Sequence, residues 1–154
     1  MINRRIFLQN TINSGAIAIA ASCGLFVPGT ILAVWNKAAF ESKDLKSAMA
    51  AEGFTDIIDS DKIKIKAPDI AENGAVVPVT VSTDMAGVES ISIFSAKNGT
   101  PLSAIFNLGK GTDPIVSTRL KMGKTGNIVA VITAGGKQYK AQKEVKVTIG
   151  GCGG

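Results

Sequence analysis

From residue 62 onward, apolar residues recur at every second position in short runs, and glycine-bearing turns separate the runs. Ile63 and Ile65 alternate with Lys64 and Lys66; Val77, Val79 and Val81 alternate with Pro78, Thr80 and Ser82. Successive side chains of an extended chain point to opposite faces, so this period makes strands with one face in a core. Ile91 and Ile93 around Ser92 continue the pattern, and further runs occupy 104–108, 115–122, 128–133, 139–142 and 145–149. Between them lie Glu72-Asn73-Gly74, Lys97-Asn98-Gly99, Gly109-Lys110-Gly111, the stretch 123–127 and Gly135-Gly136. Asn-Gly and Gly-Gly supply the positive φ that tight hairpins need, and Glu72-Asn73-Gly74 is expected to be such a turn. Pro78 cannot donate to a ladder, which places its strand at an edge or makes it the start of one. Seven or eight short strands with no long helical pattern between them predict an all-β fold, an immunoglobulin-like antiparallel β-sandwich. Aromatic residues make up only 5% of the chain, so Val, Ile, Ala and Leu must fill the core.

Before the strands, residues 36–53 predict a short N-terminal helix, capped by Asn36 and ended by Gly53. Phe40, Leu45, Ala48 and Met49 share its apolar face. Asp56, Asp59 and Asp61 follow. They lack the glycine and distal glutamate of a calcium loop and read as a solvated connection.

The first 33 residues read as an address. Arg4-Arg5 stand ahead of Phe7 and Leu8, and an uncharged apolar run follows over 15–32, ending at Ala33. This predicts a twin-arginine export signal over 1–33 and a periplasmic location for the rest. Asn3, Gln9 and Ile31 depart from the usual pattern, so the cleavage point is open. An uncut membrane anchor is the plainer alternative. Lipid attachment at Cys23 is disfavoured by Ala20-Ala21-Ser22, a poor lipobox. Cleavage removes Arg4 and Arg5 and no acid, leaving 15 basic against 12 acidic residues, so the net charge falls from +5 to +3. That mild excess predicts no nucleic-acid partner. No later stretch is long enough to anchor the cleaved chain in a membrane.

Most catalytic chemistry is excluded by residue type. The chain has no histidine, which removes Ser-His-Asp and Cys-His catalysis, most zinc sites and covalent haem attachment. Cleavage also removes Cys23, so no C-x-x-C pair is available, and no phosphate-binding glycine loop occurs. The sequence therefore predicts a non-enzyme with no cofactor and no metal. The lysines at 137, 140, 143 and 146 flank the last hairpin. They read either as a solvated face or as a patch steering an acidic partner.

The remaining cysteine, Cys152, sits between Gly150-Gly151 and Gly153-Gly154. Glycine carries no side chain and adopts nearly all backbone angles, so this stretch predicts a slim, flexible C-terminal arm. Fully extended, the thiol reaches about 10 Å past Ile149, enough to enter a narrow channel in another protein. Ordering the arm costs on the order of 1–2 kcal/mol per residue, which keeps docking reversible. A thiol with an ordinary pKa of about 8.5 is mostly protonated at neutral pH, so activation must come from whatever receives it. These residues alone leave two readings open: a covalent carrier, or a structural module dimerising through a disulfide at Cys152. A ubiquitin-like carrier activated at its terminal carboxylate needs ATP and a β-grasp fold, which export and the strand-only body oppose.

The terminal pentapeptide 150–154, the run 145–149 before it, and the stretches 67–79 and 117–122 together resemble the SoxY family of thiosulfate oxidation. The resemblance spans nearly all of the chain after residue 33. It implies an immunoglobulin-like sandwich over 34–149 carrying an arm over 150–154, and Cys152 as the point of sulfur attachment. It further implies a heterodimer with a SoxZ-like subunit lacking its own signal. The partners it implies are a c-type cytochrome complex that joins thiosulfate to the thiol, a manganese-dependent hydrolase that releases sulfate, and a sulfur dehydrogenase.

Overall fold

The computed structural model describes residues 36–148. The expected signal (1–33) and arm (150–154) lie outside the described residues.

Two helices occupy the region where one was expected: α1 (Lys37–Glu41) and α2 (Leu45–Ala51). Ser42 breaks the run. Its backbone is extended (ψ 139°) and its hydroxyl donates to the Ala38 carbonyl oxygen at 2.7 Å. Asp44 then caps a second start, accepting from Ser47 N at 2.9 Å and from Ser47 Oγ at 2.7 Å. Short polar side chains compete in this way with helix continuation and favour caps. The outer ends match expectation. Asn36 Oδ1 accepts from Ala39 N at 3.2 Å. Gly53 takes φ +77° while Gly53 N donates to Ala50 O and Phe54 N to Met49 O, a glycine-closed helix end.

Among the described residues nine strands follow: β1 (Ile57–Asp59), β2 (Ile63–Lys66), β3 (Ile70–Ala71), β4 (Val77–Thr83), β5 (Val88–Ser95), β6 (Leu102–Asn107), β7 (Ile115–Leu120), β8 (Gly126–Ala134) and β9 (Lys137–Val147). One sheet runs β1-β9-β8-β5-β6 with β3 also on β9; the other runs β2-β4-β7. This is the all-β, immunoglobulin-like sandwich that the alternation predicted. Its ladders are antiparallel except for two short parallel ones, β1 on β9 and β3 on β9.

Several local expectations are corrected. The runs at 139–142 and 145–149 join into one strand as far as Val147, because β8 pairs with β9 straight through the polar Lys143-Glu144 step, and Ile149 lies outside the described residues. Gly135 and Gly136, at φ +56° and +71°, make the tight β8–β9 hairpin. Neither Gly74 nor Gly99 has positive φ. Asn73-Gly74 makes a turn, with Ala75 N donating to Asn73 Oδ1 at 2.9 Å, but it joins β3 in one sheet to β4 in the other rather than forming a hairpin. The strand holding Pro78 is the middle one of its sheet rather than an edge, though it does start beside the proline, at Val77. It tolerates proline because β2 pairs only with residues 80–83, leaving Pro78 beyond the end of that partner.

The sandwich core lies between the sheets, where Val77, Val79, Val81, Ile91, Ile93, Leu120, Met122, Ile128, Ile132 and Val145 are buried. A second apolar layer lies on the other face of the large sheet. Phe94, Val129, Val131 and Leu102 pack there with Ala39 and Ala48 of the helices, and Phe54 meets Phe94 edge-on at 6.4 Å between ring centroids. The helices therefore cover a sheet face. This is why 128–132 reads as an unbroken apolar run: a strand buried on both faces needs no polar alternation.

Candidate functional site: the root of the C-terminal arm

Cys152 and its flanking Gly150, Gly151, Gly153 and Gly154 lie outside the described residues. What the structure places is the point from which they leave, the end of β9.

The outer edge of β9 is covered by two short strands. β1 pairs along Gln138–Lys140, and β3 pairs at Lys146 and Val147. Around β3 the chain fastens itself to β9 repeatedly. Lys146 N donates to Asp69 O at 2.9 Å and Thr148 N to Ala71 O at 3.2 Å. Thr148 Oγ1 also donates to Ala71 O at 3.3 Å. Lys143 Nζ donates to Ala67 O at 2.7 Å and pairs with Asp69 at 3.0 Å. On the other edge, Val147 N donates to Thr125 Oγ1 at 2.9 Å. Thr148, four residues before the cysteine, is thus tied to the body, and the residue before it is tied from the opposite side.

Gly74 closes the site from beneath. Its carbonyl oxygen accepts from Met122 N at 2.6 Å. A Cβ on Gly74 would collide with the Met122 carbonyl oxygen and stand 2.7 Å from Val147 Cγ1. The glycine is needed for close approach, not for a left-handed backbone. The three body stretches 67–79, 117–122 and 145–149, far apart in sequence, therefore meet at one place through Gly74, Met122 and Val147. Sequence reading missed this role of Gly74, and of Thr125, because each looked like an ordinary turn residue.

The lysines of the last strand form no single patch, which leaves the solvated-face reading. Positions three apart alternate faces in a strand. Lys140 pairs with Asp59 at 3.6 Å and Lys143 with Asp69, so half of that charge is matched locally. Asp59 belongs to β1 rather than to a loop. Among the described residues, no group of three or more His, Cys, Asp or Glu is placed to hold a metal ion. No described helix is long and apolar enough to cross a membrane.

One carboxylate near the helices is perturbed. Burial pushes the Glu52 carboxyl above its ordinary value, and its Oε1 is buried without a hydrogen-bond partner. The Asn36 side chain favours the charge, but burial outweighs it.

The sequence profile of the sulfur oxidation protein SoxY matches residues 48–152. No curated protein matches the chain. Among solved structures, the chain is similar to the sulfur carrier protein SoxY from Chlorobium limicola f thiosulfatophilum, at 50% identity and a TM-score of 0.63, covering 69% of this chain and 97% of that one. A superoxide reductase (neelaredoxin) variant from Ignicoccus hospitalis is similar at 20% identity and a TM-score of 0.52, covering 60% of this chain and 94% of that one. At that identity the likeness is one of fold alone.

Proposed function

Because the chain belongs to the SoxY family of sulfur oxidation proteins, we propose that it carries thiosulfate-derived sulfur covalently on Cys152 and does no chemistry of its own. The observation that best supports this is the fastened root: Thr148 and Val147 are held on both edges of β9, and four residues later comes a thiol flanked only by glycine. A rigid base and a slim arm let a partner reach the cargo without opening the body. The Chlorobium relative is itself a sulfur carrier protein.

The carrier cycle is as follows. The Cys152 thiol and the outer sulfur of thiosulfate are joined into a disulfide-type bond, giving an S-thiosulfonate with loss of one proton and two electrons. The c-type cytochrome complex accepts those electrons. Water then attacks the terminal sulfonate sulfur on a manganese-dependent hydrolase, releasing sulfate and leaving a persulfide on Cys152. A sulfur dehydrogenase then oxidises the outer persulfide sulfur to a sulfonate, three waters supplying the oxygens and its electron acceptor taking six electrons, and a second hydrolysis releases sulfate and restores the Cys152 thiol. The body works in a heterodimer with a SoxZ-like subunit, in the periplasm, after export through the twin-arginine signal of residues 1–33.

Cys152→Ser tests the reading. Supplied with thiosulfate and the purified cytochrome complex, the wild-type chain gains a reductant-labile sulfur adduct and the variant gains none, with both folds intact by circular dichroism. An adduct that survives the substitution contradicts the assignment. A wild-type chain that forms only disulfide-linked dimers favours the structural module instead.

A further inference from the structure

An open basin of about 770 Å³ is lined by four lysines, Lys43, Lys97, Lys121 and Lys124, and by no acidic side chain. All four are exposed, and none makes an ion pair among the described residues. The floor is fixed: Asn98 Nδ2 donates to Lys121 O at 2.6 Å and Gly123 N to Asn98 Oδ1 at 3.0 Å. Those two bonds tie the β5–β6 connection to the segment after β7. Lys97 and Lys121 are therefore held at a set spacing despite their flexible stems.

The basin's position makes it informative. β8 and β9 are antiparallel, with Gly126 opposite Val145 at one end and Ala134 opposite Lys137 at the other. The basin borders Gly123 and Lys124, next to the Thr125 that holds Val147. Charge and arm root thus share one end of the sandwich. The other end, with the Gly135-Gly136 hairpin, is separated from it by the nine-residue length of β8.

We infer that this four-lysine basin is the docking surface for an acidic protein surface at the mouth of the enzyme that receives the arm. The inference rests on the carrier reading above. Two occupants compete, and magnitudes separate them. An anionic sulfonate on the tip of this chain's own arm would gain a few screened, exposed ion pairs, each weaker than the ordering cost of a single backbone residue, while several residues after Thr148 would have to be fixed. A partner's acidic face meets all four charges at once and pays no arm entropy to do so. Its main gain is in encounter rate, since unpaired like charges on one face steer an oppositely charged partner within about a Debye length, roughly 8–10 Å at physiological salt. The lysines orient the collision so that the arm root faces the partner's opening.

The test measures association of the full mature heterodimer with the purified c-type cytochrome complex by stopped flow, over a range of salt. Wild type associates about tenfold more slowly at high than at low salt. K97E/K121E/K124E is slower by about tenfold at low salt and has a flattened salt dependence, and the neutral K97Q/K121Q/K124Q falls between. K62E/K110E/K137E, which changes the same charge at the far end, associates within about twofold of wild type. Equal slowing by both triple sets overturns the proposal, since net charge alone then explains steering. Unchanged rates in the basin variants also overturn it. So do shifts in the Gly99, Lys121 and Gly123 amide signals on loading Cys152 in the free heterodimer, which assign the basin to the arm itself. Association needs no thiol, so Cys152→Ser associates normally. Failure of the carrier reading appears instead as an absent adduct, with the association rates still deciding the fate of the basin.

Discussion

The β5–β8 pair at the centre of the large sheet and the β3–β9 pair at the arm root are both strand ladders, yet they are stabilised differently. In the first, Ile91 through Ser95 and Ile128 through Ile132 are all buried, and apart from Ser92 and Ser95 they are apolar on the sandwich side and again on the helix side. In the second, Ile70 is 58% exposed and Thr148 is exposed, and the strand end is held by backbone bonds from Asp69 and Ala71, by the Thr125 hydroxyl and by the close approach at Gly74. A core strand is secured by area removed from water, at roughly 25 cal/mol per Å². The end of β9 has little apolar cover, and its last described residues are secured by hydrogen bonds and by steric fit. The same molecule thus separates global stability from the fastening of the end of β9.

That separation gives predictions graded by size. Phe94→Ala removes a wholly buried ring between helices and sheet and costs about 3–5 kcal/mol, read as a large fall in the urea midpoint. Gly74→Ala forces the Met122 carbonyl and Val147 apart and costs about 1–3 kcal/mol. Its signature is local: the Lys146 and Thr148 amides exchange faster than those of β8, which does not happen uniformly in a core variant. Thr125→Val removes the bonds to Val147 and costs about 0.5–1 kcal/mol, because water replaces them at an exposed site. Exchange speeds up at the Val147 amide while the melting temperature barely moves. If Gly74→Ala loosened β8 as much as the root, the two regions would be one cooperative unit and the distinction would fail.

Glu52 gives the smallest effect. Its folded-state pKa is raised, so folding favours the protonated form. The penalty is absent below the ordinary value of 4.5 and grows as pH rises through it toward the raised one. Glu52 as a residue is only half-buried and solvent screens its charge, so the effect is slight. Glu52→Gln raises the melting temperature by roughly a degree near neutral pH and not at all in acid.

The sequence carried the interior plainly and the root poorly. Val77-Pro78-Val79-Thr80-Val81 shows its inward face by alternation, and Gly135-Gly136 marks its hairpin by the φ values that only glycine adopts readily. Ile57-Ile58-Asp59 and Ile70-Ala71 are too short to show any period. They become strands only because β9 offers an open edge, which is a tertiary fact. The helix break lay in Ser42 and Asp44, whose side chains bond locally instead of continuing the helix. Gly74 looked like a turn glycine, and only the contact with Val147 reveals the other demand on it. Residue type singled out Cys152, a thiol flanked by glycine pairs in a chain without histidine, but left the carrier and disulfide readings open until the resemblance favoured the first.

The most direct measurement is the intact mass of the protein from thiosulfate-consuming cells, before and after reductant, with any adduct mapped to its peptide. Sulfur species that reductant removes from Cys152, and no adduct elsewhere, are the expected result. A bare thiol or only a disulfide dimer in cells that are actively oxidising thiosulfate would contradict the carrier function.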